Sequence, residues 1–261
     1  MPVIEHFREL WRYRTLIGSL VRRDVALRYR GSVLGYLWTL LNPLMLLAVY
    51  HLVFSQIMRA VSVPHYAVFL FVGILPWLWL SSSLTNGALS IANGGSLITR
   101  VCMPPQVLPA VVVISNFANF LFALPVAVGG AALAGLPPAV AMLALPVAVL
   151  TMMVFLYGLS LLVATLAVPF RDVQFLVTNL VMIWFFVTPI IYPLESIPAP
   201  WRPLVAVNPA TLLVHPFQRI FYERRFPDPA ELGIGALWAL AATVLGVVVF
   251  ERLRGRLAEE I

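Results

Sequence analysis

Residues 107–168 read VLPAVVVISNFANFLFALPVAVGGAALAGLPPAVAMLALPVAVLTMMVFLYGLSLLVATLAV, a stretch without a single Asp, Glu, Lys or Arg. An α-helix needs about 20 apolar residues to cross a bilayer core of about 30 Å, so the stretch has room for two crossings. The Gly-Leu-Pro-Pro sequence at 135–138 favours a tight turn between them. We therefore predict a hairpin of two transmembrane helices, whose extra length is taken up by tilt or protrusion.

Four further apolar runs flank this hairpin, at residues 34–58, 67–84, 175–193 and 232–250. Of the 261 residues, 61% are hydrophobic and only 11% are charged, and the mean hydropathy is +0.95. A soluble domain would carry far more charge on its surface. We predict an all-α integral membrane protein in which residues 33–261 form one domain of six transmembrane helices.

The first 32 residues differ from the rest because they hold seven of the 17 basic residues. Apolar side chains recur among these arginines at spacings near three and four, the pattern of an amphipathic helix on a membrane surface. These apolar residues are Phe7, Leu10, Trp11, Ile17, Leu20 and Val21. Residues 1–32 are predicted to be a cytoplasmic interface helix, with a loosely structured basic tail as the alternative.

Residues 194–231, which connect the last two runs, fit neither pattern. They hold several prolines, and their apolar stretches are too short to cross a membrane. Irregular backbone at membrane depth is tolerated where protein or a water-filled path surrounds it. We predict short re-entrant or interfacial helices on the outer side, with a seventh span as the alternative.

The arginines indicate the orientation, because cytoplasmic loops are enriched in basic residues. With the N-terminus inside, twelve arginines fall in cytoplasmic segments and five outside. Both termini are therefore predicted to be cytoplasmic. The same placement explains the pI near 10.0 through contact with membrane lipids, without nucleic acid as a partner.

The sequence contains no lysine, and an ordinary P-loop needs one to contact the β- and γ-phosphates of ATP. If ATP drives this protein, another chain must bind it. The predicted spans contain no Asp, Glu or Arg, which argues against a carrier coupled to ions. The single cysteine, Cys102, excludes an intramolecular disulfide. We expect no catalytic set, metal or cofactor on this chain.

Aromatic residues are plentiful in the predicted spans. Trp and Tyr commonly form a belt at the membrane interface, and this accounts for most of them. Some could instead line a conduit, since aromatic faces stack on the C–H faces of sugar rings. The candidates for such a channel are Tyr36, Trp38, Trp184, Phe185, Phe186 and Tyr192.

Segment 93–105 lies between the second and third runs, on the predicted cytoplasmic side. Asn93 and the following glycines can open a short helix that Pro104 stops. Its apolar residues Leu97, Ile98, Val101 and Met103 would then face the cytoplasm and suit a groove on a partner. An ordinary loop that dips back into the interface fits the composition equally well.

Three blocks of residues keep a fixed order along the chain. The first is Arg23-Asp24, Arg28-Tyr29-Arg30, Ser32, Leu34-Gly35 and Trp38; the second is Gly73-Ile74-Leu75-Pro76-Trp77, Gly87, Asn93, Leu97-Ile98, Arg100-Val101 and Pro104; the third is Phe170-Arg171-Asp172-Val173, Thr188-Pro189-Ile190-Ile191-Tyr192, Ile197-Pro198 and Asn208-Pro209. Together they resemble the polysaccharide-exporting ABC-2 permeases, the membrane subunits of O-antigen, capsule and teichoic acid exporters.

That resemblance implies a homodimer in the bacterial inner membrane, bound to two copies of a cytoplasmic ABC ATPase that carries the ATP and magnesium. The dimer would move an undecaprenyl-linked, O-antigen-like polysaccharide from cytoplasm to periplasm, so this chain would be a transport subunit and not an enzyme. Segment 93–105 would be the coupling helix against the ATPase, with contacts through Asn93, Ser96, Leu97, Ile98, Arg100, Val101 and Met103.

The resemblance also implies that segment 194–231 is a periplasmic gate. Arg28 and Arg30 would lie at the cytoplasmic mouth and contact the lipid pyrophosphate, since guanidinium groups suit phosphate geometry. Arginines at this end of a span are also ordinary topology signals.

Two other functions are consistent with the residues. An ABC-2 subunit of the same architecture could export drugs or lipids. A membrane enzyme acting on lipid-linked sugars would need acidic residues at the membrane face, for which Asp24, Asp172 and Glu195 are the candidates.

Overall fold

The computed structural model describes residues 2–28, 30–57, 63–101 and 103–260. Helices make up 82% of it, and no strand occurs among these residues. The helices are α1 (Pro2–Arg12), α2 (Arg14–Arg28), α3 (Trp38–Tyr50), α4 (Tyr66–Ala88), α5 (Ser90–Asn93), α6 (Gly95–Val101), α7 (Val107–Leu133), α8 (Leu145–Ala167), α9 (Val173–Val187), α10 (Arg202–Ala206), α11 (Pro209–Gln218) and α12 (Pro229–Glu260). Tyr29, Cys102 and the end of the first predicted run at residue 58 lie outside the described residues.

Five helical segments are long and apolar enough to cross a membrane: Gly35–Ile57, Tyr66–Ala88, Val107–Leu133, Val140–Ala167 and Pro229–Gly255. The first joins a 3-10 turn (Gly35–Leu37), α3 and a π-helical end (His51–Ile57). Val140–Ala167 begins with the 3-10 segment Val140–Ala144 before α8. The all-helical membrane fold predicted from the sequence is thus confirmed, with five spans that meet the criteria of length and apolar composition.

The remaining predicted run, 175–193, corresponds to α9, which has only 15 residues. At a rise of about 1.5 Å per residue, this helix is roughly 22 Å long, shorter than a core of about 30 Å. It ends because Thr188 adopts an extended backbone (φ −95°, ψ 132°). The cause is Pro189, since the residue before a proline is disfavoured in the helical region.

Helix α4 is the centre of the bundle, with 78% of its most apolar 18-residue window buried, whereas the Gly35–Ile57 span is only 6% buried. The large side chains Leu70, Leu80 and Trp79 are almost completely enclosed. The Trp79 indole donates a hydrogen bond to the Val113 carbonyl at 3.1 Å, so its polar group is satisfied inside the core.

Helices α8 and α12 cross at unusually close range. A Cβ on Gly158 of α8 would overlap the backbone of Thr243 on α12, and one on Gly246 would overlap the Gly158 carbonyl. Small residues at such crossings let helix backbones approach closely, which is a common basis of helix association in membranes. The Thr243 hydroxyl adds a hydrogen bond to the Val154 carbonyl at 3.0 Å.

The N-terminal segment folds as two helices, α1 and α2. Ile17 of α2 is buried against the start of α7. In α1, Ile4, Phe7 and Trp11 are 65%, 43% and 70% exposed. Their spacing places them on one face of the helix. That face has the character expected of an interface helix, and its contact with lipid remains a prediction.

Segment 194–231 contains the short helices α10 and α11 and a π turn (Arg219–Glu223). The residues from Ala210 to Gln218 of α11 are all buried. Asn208 caps this helix by accepting a hydrogen bond from the Ala210 amide at 3.1 Å, as N-cap asparagines commonly do. Helix α11 is thus enclosed by protein, whereas α10 is mostly exposed, with Leu204 at 65%. The re-entrant or interfacial placement of segment 194–231 stays a prediction.

Candidate functional site

A groove of about 460 Å³ runs between α3, α4 and α9, and we call it the aromatic groove. Its rings are Tyr50, Trp77, Phe185 and Phe186, and its hydroxyl groups include Ser81, Ser82, Thr85 and Thr178. The rings of Tyr50 and Phe185 stack with their centroids 5.6 Å apart, and the centroids of the Trp77 and Phe185 rings are 5.5 Å apart. A wall of ring faces and hydroxyls suits a ligand that has both C–H faces and hydroxyl edges.

Only two of the six predicted channel residues, Phe185 and Phe186, line this groove. Phe185 is 8% exposed, so it serves chiefly as packing, whereas Phe186 is 54% exposed. The Tyr192 hydroxyl donates to the Phe186 carbonyl at 2.8 Å. Tyr192 therefore supports the end of α9.

Trp184 faces the other side of α9, where it lines a separate and almost entirely apolar groove. Its indole nitrogen donates to Asn208 Oδ1 at 2.7 Å. Because the same oxygen caps α11, Trp184 joins α9 to the following short helices and is absent from the aromatic groove.

Tyr36 and Trp38 lie at the start of the first span. Tyr36 packs against Phe122 of α7 at 5.7 Å, and Trp38 lines a second cavity described below. The structure therefore does not bring these two residues to the predicted channel residues of α9. Tyr50 and Trp77 occupy that place instead.

The α4 wall of the groove can be recognised in the sequence by a repeat. Trp77, Ser81 and Thr85 recur every four residues, and residues four apart share one face of a helix. Three polar or amphipathic side chains on one face of an apolar span indicate a surface that is not simply lipid-facing. Trp77 was not among the residues predicted to line a channel, because this repeat was missed.

A second cavity, of about 200 Å³, lies between α3, α4 and α7, and we call it the polar cavity. Arg28 lines its edge. The guanidinium binds the Asp24 carboxylate at 3.0 Å and donates to Asn116 Oδ1 at 2.7 Å. Arg30 is exposed two residues later. Of the two arginines predicted to contact a pyrophosphate, Arg28 is thus oriented by partners in the fold.

The polar chain continues from Asn116 into the bundle. Asn116 donates to the Ser83 hydroxyl at 3.4 Å, and the Ser160 hydroxyl donates to the Ser83 carbonyl at 3.1 Å. Asn116, Ser83 and Ser160 are each at most 2% exposed. Hydrogen bonding offsets the cost of burying these groups, and it links four helices from α2 to α8.

Segment 93–105 forms the end of α5, all of α6 and the turn that leads to α7. Val101 is 46% exposed, Asn93 is exposed, and Leu97 and Ile98 are half-buried. Met103 is only 3% exposed because it packs beside Ile17 and Val107. The prediction that Met103 faces the cytoplasm is therefore wrong. The side chains of Ser96 and Arg100 lie outside the described residues.

A cluster of polar residues fastens α1 to the bundle. His6 is 1% exposed, and its ring contacts the Tyr157 hydroxyl and lies 3.5 Å from the Glu251 carboxylate. Glu9 accepts from Gln106 at 2.6 Å and from Arg254 at 3.3 Å. The cluster joins α1 to α8, α12 and the start of α7, and nothing in the sequence pattern predicted it.

This cluster predicts a pH-dependent stability. Burial lowers the pKa of His6 below the ordinary value of about 6.5, although Glu251 opposes the shift. The unfolded chain therefore binds the His6 proton at a higher pH than the folded chain, so stability is full above about pH 6.5 and declines below it. We expect the melting temperature to fall less between pH 7.5 and 5.5 for His6→Gln than for the wild type.

The exposed His65 supplies the matched control, because His65→Gln should retain the wild-type pH dependence. An identical fall in melting temperature for His6→Gln and the wild type would contradict the assignment.

A second buried ionic cluster lies where α11 meets the start of α12. His215 of α11 lies 2.7 Å from the Glu231 carboxylate, at the start of α12, and Arg219 lies 3.4 Å from the same group. The His215 and Glu231 side chains are 9% and 11% exposed. Since breaking a buried pair leaves an uncompensated charge, this cluster fixes α11 against α12.

The three acidic residues considered for an enzyme lie on three separate elements. Asp24 lies on α2 and is paired with Arg28, Asp172 precedes α9, and Glu195 lies in the 3-10 turn Leu194–Ser196. Among the described residues, no group of three His, Cys, Asp or Glu side chains could hold a metal ion.

Comparison with known proteins gives consistent matches along the whole chain. The sequence profile of the ABC-2 type transporter family matches residues 15–222. The O-antigen export system permease protein RfbA of Myxococcus xanthus is 40% identical over 267 residues, covering 99% of this chain and 100% of that protein. Two RfbA permease proteins of the same description from Klebsiella pneumoniae are 29% and 30% identical, each with 94% of both chains covered.

Proposed function

The chain belongs to the ABC-2 type transporter membrane family, and from that we propose that it is the permease subunit of an exporter of lipid-linked, O-antigen-like polysaccharide. The observation that carries the proposal is the similarity to the Myxococcus O-antigen permease over the full length of both proteins. The aromatic groove supports it, since ring faces and hydroxyl groups suit a carbohydrate better than an apolar drug.

We propose that α9 acts as a sixth span despite its length. Its 15 residues are continued outward by Thr188 to Tyr192, and Ile190 and Ile191 of this extension are buried. A short helix can be matched by local thinning of the bilayer. An even number of spans places both termini on the same side of the membrane. The distribution of arginines indicates that this is the cytoplasmic side of the bacterial inner membrane.

A homodimer would complete the transport path. The aromatic groove is open on one side, and the Gly35–Ile57 span that forms one wall is only 6% buried. One chain therefore supplies only part of an enclosure, and a symmetric pair brings two identical grooves together. Exposed apolar residues on both walls, among them Met45 and Val49 of α3 and Met182 of α9, would pack in that interface.

The energy would come from a separate cytoplasmic ATPase, two copies per dimer, which holds the ATP and magnesium. Segment 93–105 would be its docking site, through the exposed Val101 and the half-buried Leu97 and Ile98. Segment 194–231 would gate the outer end of the path. Arg28 and Arg30 would contact the pyrophosphate of the lipid carrier at the cytoplasmic mouth.

Deletion of this chain in its own organism tests the function. The lipid-linked polymer should then remain inside spheroplasts and disappear from the outer-membrane fraction, as measured by carbohydrate-specific staining of the two fractions. Expression of the intact chain should restore the polymer to the outer membrane. Unchanged surface polysaccharide in the deletion strain would refute the proposal.

A further inference from the structure

We propose that the polar cavity between α3, α4 and α7 binds one sugar ring, the ring attached directly to the pyrophosphate of the lipid carrier. This inference rests on the proposed function, because it adds a sugar subsite beside the arginines assigned to the pyrophosphate. It differs from the aromatic groove, since the two spaces are lined by different stretches of α3, residues 38–43 and 46–50, and by different third helices, α7 and α9. They share only Leu78 and Ser82 of α4.

The cavity is walled by uncharged polar groups and aromatic rings. Asn42 and Thr39 of α3 face Asn116 and Asn119 of α7 across it, with Ser82 of α4. Amides and hydroxyls both donate and accept hydrogen bonds, as sugar hydroxyls do. The rings of Trp38, Trp79 and Phe120 complete the wall. Trp79 and Phe120 are buried and stack on each other, with ring centroids 5.5 Å apart. The exposed Trp38 is therefore the ring whose face can meet the C–H face of a sugar.

The helical spacing explains why these groups converge. Trp38 and Asn42 are four residues apart on α3, and Asn116 and Asn119 are three apart on α7. Residues at these spacings lie on the same helix face. Each helix therefore presents a pair of side chains to the cavity, and α3 presents an indole beside an amide.

The charge of the cavity argues against a bare phosphate inside it. Arg28 is the only cation among the lining residues, and the Asp24 carboxylate at 3.0 Å offsets its charge. A phosphate group would need further cations or many more donors. A neutral polyhydroxyl ring meets no such requirement.

The position and size of the cavity point to the first ring of the substrate. Arg28 lines the cavity and its side chain is still 25% exposed, so a pyrophosphate held there would carry its attached sugar next to the opening. The volume of about 200 Å³ is below the ~300–1,000 Å³ of most ligand sites. It therefore suits one ring and cannot enclose a polymer.

The test compares two lipid probes on the full-length chain in nanodiscs: undecaprenyl pyrophosphate, and the same lipid bearing one N-acetylglucosamine. The wild type should bind the sugar-bearing lipid about tenfold more tightly, the gain of one or two hydrogen bonds. Asn42→Leu and Trp38→Leu should each abolish this difference. Both residues are exposed at the cavity edge, so neither substitution should disturb the core.

Asn179 supplies the matched control. It is an exposed asparagine on α9 whose amide bonds to the Phe175 carbonyl of its own helix, and Asn179→Leu should keep the tenfold difference. Equal binding of both lipids by the wild type would overturn the sugar subsite and leave the proposed function intact. Binding of neither lipid would contradict the subsite and the proposed role of Arg28 and Arg30 together.

Discussion

Gly158→Ala is expected to destabilise the folded protein by at least about 2 kcal/mol, the scale of an overpacked core. The added Cβ would overlap the backbone of Thr243 on α12. Backbone cannot move aside as a flexible side chain can, so α8 and α12 must separate. The measurement is the melting temperature of the purified chain in detergent, together with its monodispersity on gel filtration.

Gly129 gives a control of the same chemistry in another transmembrane helix. A Cβ there meets nothing within 4 Å, and alanine favours a helix over glycine by about 1 kcal/mol. Gly129→Ala should therefore leave the melting temperature unchanged or raise it. Gly158→Ala is thus predicted to lower the melting temperature, whereas Gly129→Ala should not lower it. A Gly158→Ala variant as stable as Gly129→Ala would show that the helices do not cross as the structure describes.

The long apolar runs were predictable because a membrane span has a compositional signature. The hairpin of residues 107–168 folds as Val107–Leu133 and Val140–Ala167, joined near the predicted Gly-Leu-Pro-Pro turn. The shortness of α9 could have been read from Thr188-Pro189, since Pro189 bars Thr188 from the helix. The predicted run of residues 175–193 instead extended past this proline.

The sequence did not allow us to predict which spans lie at the centre of the bundle and which lie at its surface. The Gly35–Ile57 and Tyr66–Ala88 spans have nearly equal hydropathies of 1.7 and 1.8, yet the first is exposed and the second is buried. In water a polar face reveals the outside of a helix, but in lipid both faces are apolar. The contrast that separates inside from outside is therefore missing from the sequence.

The functional side chains were harder to assign for a related reason. Trp184 and Phe185 are adjacent in sequence, but their rings point to different sides of α9. Asn208 decides the orientation of Trp184 by accepting its indole hydrogen bond. Met103 likewise became a core residue because α2 packs over it. Such choices depend on tertiary partners, which spacing along one helix does not specify.

Val101→Asp is expected to abolish productive contact with the ATPase that we propose as partner. Val101 is 46% exposed on α6, so the fold does not need its side chain, whereas Leu97 and Ile98 also pack against the cluster around Ile17. A carboxylate buried at the centre of a docking surface typically costs about 2 kcal/mol or more. That corresponds to a loss of roughly 30-fold in affinity, measured by co-purification of the ATPase and by ATP hydrolysis of the complex.

Val33→Asp distinguishes loss of docking from a general effect of added charge. Val33 is fully exposed and lies between α2 and α3, outside segment 93–105, so this variant should recruit the ATPase as the wild type does. The difference is one of position. Leu97 and Ile98 hold the short helix α6 against a cluster formed by α2 and the start of α7, so an ATPase that binds the exposed face of α6 would press on both helices, whereas one added charge at Val33 would not touch this face. Wild-type ATP hydrolysis by the Val101→Asp complex would mean that the ATPase acts on another surface.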